Sequence, residues 1–138
     1  MELVPGISAH FVQSKKFKTN KITIRFTASL SLETVAGRML SASMLETANK
    51  AYPTSQVFRR YLASLYGTDI STSAYRRGQA HVLDLTFTYV RDEFLSKKNV
   101  LTSRILELVK HTLFAPLVQD GAFESALFEI EKNNYWLA

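Results

Sequence analysis

There is no cysteine in this 138-residue sequence. Disulfide frameworks, thiolate zinc sites and cysteine nucleophiles are excluded together, and a cytoplasmic setting is the expectation. No apolar run approaches the roughly eighteen residues of a membrane span, and MELVPGISAHF at the start has no basic stretch leading into an apolar one. Neither a membrane nor a secretory leader is expected. The five glycines, Gly6, Gly37, Gly67, Gly78 and Gly121, never cluster, so no phosphate cradle can form before a helix. A G-x-S-x-G nucleophile turn is also missing. The three histidines, His10, His81 and His111, fall on separate expected elements. A zinc site normally draws at least one pair of ligands from short spacing on one element, so each histidine reads as a packed or surface residue.

What is present is a core's worth of apolar residues, 46% of the chain, enough for one compact unit and too little for two ordinary domains. The clearest local signal is Ser31 to Gly67. Val35, Met39, Leu40, Met44 and Leu45 recur at three-and-four spacing, which predicts a helix that Asn49 and Lys50 interrupt. After Pro53, the Thr54 hydroxyl is placed to cap a second helix, with Val57, Tyr61, Leu62 and Leu65 as its stripe and Gly67 past its end. Met39 and Met44 read as core filler.

Period-two alternation surrounds this pair of helices. Ile7 to Val12 predicts a short strand, and Ser14 to Asn20 a polar connection. From Lys21 to Leu30, Ile22, Ile24 and Phe26 face one way while Thr23, Arg25 and Thr27 face the other. Asp69 to Ala74, a turn at Arg76-Arg77-Gly78 and a long strand predict a hairpin, in which His81, Leu83, Leu85, Phe87 and Tyr89 share a face. Val100 to Phe114 returns to helical spacing, and Phe123, Leu127, Phe128 and Ile130 suggest one more helix. The expected class is α+β, a mainly antiparallel sheet with helices on one face. No capping glycine or proline follows Trp136, so the end resembles a cut inside a larger protein.

The net charge of +5 is scattered over Lys15, Lys16, Lys18, Lys21, Arg59, Arg60, Arg76, Arg77, Lys97 and Lys98. Without a docking motif this predicts solvated faces and no nucleic-acid partner. Glu124, Glu129 and Glu131 lie close enough in sequence for acid/base work, but with Lys132 beside them they read as a solvated helix face.

The order of elements resembles the start of the insulinase or pitrilysin family of zinc peptidases. The residues that carry the likeness are Phe17 with Thr19, the run from Met44-Leu45-Glu46-Thr47 to Ala51-Tyr52-Pro53, Tyr61-Leu62 with Leu65-Tyr66-Gly67, and Gly78 with His81. It is most similar to the non-catalytic bacterial members, of the YmfF/YfmF type. The resemblance implies a fold like part of the LuxS/insulinase-like metallohydrolase domain, with residues 1–138 as a partial N-terminal domain truncated at its C-terminal end. Active members carry H-x-x-E-H on the first helix, two histidines for zinc and a glutamate to activate water. Counted back from Tyr52-Pro53, Met39 falls at the first histidine, Ala42 at the glutamate and Ser43 at the second histidine, and no histidine lies between His10 and His81 to restore the pair. The family's third ligand, a glutamate, would fall near Ala138 or beyond.

The resemblance therefore implies no zinc and no catalytic residue in this chain. The expected role is an interaction or peptide-holding subunit whose partner is a homologous peptidase chain that keeps H-x-x-E-H. The alternative is a metallopeptidase-family enzyme whose active residues lie outside residues 1–138; a basic nucleic-acid module is the weakest reading.

Overall fold

The computed structural model describes residues 1–95, 101–116, 118–119 and 122–123. Its centre is a three-stranded antiparallel sheet built from β3 (Thr19–Ser29), β4 (Asp69–Arg77) and β5 (Ala80–Val90), in the order β3-β5-β4. β5 pairs with both neighbours along its length, Ile24 opposite Leu85 on one side and Thr72 opposite Leu85 on the other. Because side chains alternate across a strand, Leu83, Leu85, Phe87 and Tyr89 lie on one face with Ile22, Ile24, Phe26 and Ile70.

Three helices cover that face among the described residues: α1 (Val35–Thr47), α2 (Ser55–Ser64) and α3 (Leu101–Phe114). Phe58, Leu62 and Leu65 from α2 and its end, and Leu101, Ile105 and Leu108 from α3, close over Ile70, Leu85, Phe87 and Tyr89 to form the core. Each fully buried large side chain of this kind contributes about 1.5–3 kcal/mol by leaving water. Tyr52 stacks on Tyr61 with ring centroids 4.1 Å apart, and burial raises its hydroxyl's pKa well above the ordinary value. The architecture is α+β with antiparallel sheets, as expected from the alternation.

The helix boundaries have visible causes. Asn49, fully buried, turns its Oδ1 back to accept from the Ala51 and Tyr52 amides, which ends the α1 run, and the Lys50 amide donates to the Ala115 carbonyl, tying the turn to the end of α3. Thr54 Oγ1 accepts from the Val57 amide at 3.2 Å, the expected cap of α2. Past α2, both Tyr66 (φ 59°) and Gly67 (φ 73°) are left-handed, and the Gly67 amide reaches the Ala63 carbonyl.

Several expectations shift. In α2 the buried residue of the first turn is Phe58, while Val57 is 42% exposed, so Phe58 takes the place of Val57 in a stripe that otherwise keeps Leu62 and Leu65. The expected Ile7 to Val12 strand shrinks to β2 (Ile7–Ser8), paired with β1 (Glu2–Val4), and Phe11 and Val12 are exposed. Strand propensity there has no apolar surface to pack on, and propensity alone does not hold a strand. The β4–β5 turn is Gly78-Gln79, with Arg76 and Arg77 inside β4; Gly78 takes the positive φ that a two-residue loop needs. Phe123 belongs to β7 (Ala122–Phe123), paired with β6 (Val118–Gln119), instead of opening a helix. Leu127, Phe128, Ile130 and the glutamates Glu124, Glu129 and Glu131 lie outside the described residues.

Candidate functional site: the groove beside α1

α1 packs over β4 and β5, which leaves the part of the sheet nearest β3 incompletely covered. Only Met44 of α1 is fully buried. Between the helix and β3 lies a groove of about 570 Å³, walled by Phe26, Leu83 and Leu85 of the sheet and by Gly37, Arg38, Ser41, Ala42 and Leu45 of α1. The small residues at 37, 41 and 42 are what keep it open. Ser41 contributes little polarity, since its hydroxyl donates to the Gly37 carbonyl within the helix at 2.8 Å.

Arg38 supplies the positive charge, and Glu33 also lines the groove. Its Nε donates to His81 Nδ1 at 3.2 Å, and its Nη2 reaches the carbonyls of Phe26 and His81 at 3.3 and 3.4 Å. The guanidinium thus lies over the β3–β5 ladder and fastens α1 to it. His81 is buried, and its Nδ1 is occupied as an acceptor from a cation, so this nitrogen offers no lone pair to a metal.

Of the three positions singled out on the helix, Ala42 lines the groove, whereas Met39 and Ser43 are half-buried elsewhere on α1. A methyl, a thioether and a hydroxyl cannot hold a divalent zinc or polarise a bound water, and Arg38 beside Ala42 would repel such an ion. The donor set at this turn therefore does not fit zinc. The histidines are not brought together: His10 is exposed near the N-terminus, His81 sits under Arg38, and His111 on α3 approaches Glu107 at 3.9 Å. Among the described residues no three of His, Cys, Asp and Glu are grouped so as to hold a metal ion.

A second polar arrangement lies on the opposite sheet face. Arg25 makes a two-pronged contact to Asp84, Nε to Oδ1 at 2.8 Å and Nη2 to Oδ2 at 2.9 Å, with Tyr75 packed under the guanidinium. The hydrogen bonds from Arg25 hold the Asp84 carboxyl below its usual range, against the opposing effect of burial, and the same pair raises Arg25. Arg25 was legible as an outward residue, but its partner was not, because the β3–β5 register is set over some sixty residues of intervening chain. Arg38 gave no signal in sequence: a single cation near a helix start reads as solvated surface.

No family model matches the chain. Over 127 residues, 92% of the chain, it is 30% identical to "Probable inactive metalloprotease YmfF" of Bacillus subtilis (strain 168). The chain is similar to a metalloprotease-related protein. It covers 30% of that relative's length. A conserved protein from Enterococcus faecalis V583, known from a crystal structure, matches with a TM-score of 0.84 and 30% identity over 89% of this chain and 29% of its own. The chain thus spans a little under a third of both relatives. The relative's name calls it inactive, which accords with a non-catalytic reading of α1. No helix among the described residues is long and apolar enough to cross a membrane.

Proposed function

We propose that this chain is the first part of a non-catalytic relative of the insulinase-type zinc peptidases, one that contributes shape to a peptidase-like complex while a homologous chain bearing H-x-x-E-H contributes the zinc chemistry. The observation that carries the reading is α1. The helix is seated on the sheet by Arg38, Met44 and the Asn49 turn, while the positions assigned to the motif hold Met39, Ala42 and Ser43. The relative's name supports the non-catalytic part of this reading. The groove beside Ala42, lined by Phe26, Leu45, Leu83 and Leu85 with Arg38 and Glu33 at its polar side, suits an extended peptide or a partner side chain better than a hydrolytic centre.

The full-length protein, isolated from its native cells at low salt, is expected to copurify with a motif-bearing homologue and to contain no stoichiometric zinc of its own. Recovery without such a homologue would defeat the pairing. One zinc per chain, together with peptidase activity of the isolated full-length protein, would favour an enzyme whose ligands lie outside residues 1–138.

A further inference from the structure

We propose that the first two turns of α1 form a flap over the groove, latched to the sheet by Arg38 on His81 and unlatched when the His81 imidazole takes up a proton.

The flap has little packing to hold it. Met44, in the second half of α1, is the helix's one fully buried residue, and Val35 of the first turn is half-buried. Gly37, Arg38, Ser41 and Ala42 line the groove instead of a filled core, so this half of the helix gains little by leaving water. Its start is weak as well. Thr34, the residue before the helix, makes no side-chain cap, and Gly37 is a poor helix former. The second half is fixed separately, by Met44 and by the Asn49 turn. What ties the first half down is Arg38, through Nε to His81 Nδ1 and through Nη2 to the Phe26 and His81 carbonyls.

The bond to His81 is conditional on charge. A neutral imidazole with its proton on Nε2 can accept at Nδ1, whereas an imidazolium carries an N–H on both nitrogens and only donates. Protonation therefore sets one N–H against another and one cation against another. The neighbours bring no relief. His81 is 5% exposed, which keeps screening water away, and Arg76 stands directly opposite it on β4, a second guanidinium whose Nε donates to the Gly78 carbonyl. Ala28, opposite on β3, brings no charge. The acids bordering the groove are engaged or distant in direction: Glu33 is exposed ahead of the helix, and Asp84 is held in two bonds by Arg25. The latched flap thus demands a neutral His81, and acid favours the released one. The core that α2 and α3 close over Leu85, Phe87 and Tyr89 contains no imidazole and stays in place. Because the flap borders the groove, acid widens access to it whatever the groove holds, and the inference stands with or without a peptidase partner.

Hydrogen exchange of the full-length protein, read by mass spectrometry and corrected for the intrinsic pH dependence of amide exchange, tests the latch. Between about pH 7.5 and about pH 5, a span that crosses the ordinary imidazole value of about 6.5, residues 35–41 should lose at least about tenfold in protection while residues 55–64 of α2 keep theirs. His81→Asn leaves an acceptor near the Nδ1 position and nothing to titrate, so its flap should stay protected at both ends of the range. Arg38→Ala removes the latch and should expose residues 35–41 at neutral pH as much as acid does in the unmodified protein. Protection of residues 35–41 that acid leaves unchanged in the unmodified protein would overturn the proposal. An acid-induced loss of the same size in His81→Asn or Arg38→Ala would do so too, since another group would then be sensing the proton. The measurement on the unmodified protein decides by itself if a variant does not fold.

Discussion

The two faces of the three-stranded sheet are made by the same strands and held together in different ways. On the helix side, β5 buries Leu83, Leu85, Phe87 and Tyr89 beneath α1, α2 and α3. On the other side, one residue along in each case, Asp84, Thr86 and Thr88 are only partly covered, and the first two find polar partners: Asp84 the guanidinium of Arg25, Thr86 the hydroxyl of Thr23. Val82 is the exception, buried between Thr27 and Tyr75. One strand thus carries a non-directional, area-driven attachment on one face and a directional, charge-dependent one on the other. The first should be insensitive to pH and salt, the second should depend on both.

The largest expected effect lies on the helix face. Phe87 is fully buried between Ile22 and Ile70 in the register, at the middle of the core. Phe87→Ala should cost about 3–5 kcal/mol, the transfer of the ring plus the cavity it leaves, and should do so equally at neutral and mildly acid pH. Urea unfolding followed by circular dichroism reads this directly. A loss below about 1 kcal/mol would mean that the core has closed around the gap, and the contrast between the faces would weaken.

A smaller effect is expected where the helix face is incomplete. Ala42 borders the groove, so Ala42→Leu adds bulk to open space and should change stability by less than about 1 kcal/mol, against the roughly 1–3 kcal/mol typical of overfilling a closed core. The same unfolding experiment compares the two variants. A large loss at position 42 would show that the groove is closed in solution.

How much of this was legible before the structure follows from how local each cause is. The alternation of β3 and β5, the Thr54 cap and the placement of Gly67 are each decided by residues within one turn or one strand, and they appear where expected. Phe58 was missed because it and Val57 both satisfy helical spacing, and the choice between them depends on where Leu85 and Phe87 lie. The pairing of Glu2–Val4 with Ile7–Ser8 was missed because both pieces are too short to show a period. The groove was not legible at all. Its existence depends on how α1 lies across the sheet, where the buried Asn49 turn ends the helix and Arg38 bonds to Phe26 of β3 and His81 of β5, contacts far apart in sequence. The chemical content of α1 at Met39, Ala42 and Ser43 could be read directly, whereas the position of those residues relative to one cavity could not.

The smallest effect, and the one that tests the polar face, belongs to Asp84. Its carboxyl is held below the usual value chiefly by the hydrogen bonds from Arg25, with burial opposing and the Arg25 charge, Tyr75 and Arg77 assisting. A carboxylate whose folded pKa is depressed contributes stability that is fully present above its unfolded value, about 4, and that is lost as pH falls through the lower folded value. Asp84→Asn removes the titration while keeping the shape. The unmodified chain should therefore have the higher urea midpoint at pH 7, keep that advantage down to about pH 5, and converge on the variant as the solution becomes more acid than about pH 4. Added salt at pH 7 should narrow the gap only partly, since the Asp84 side chain is 12% exposed and the Arg25 fork meets it in two bonds. A difference that persists unchanged to the lowest pH would mean that Asp84 acts through packing against Tyr75 instead of through its charge, and the polar face would then be held by the same means as the core.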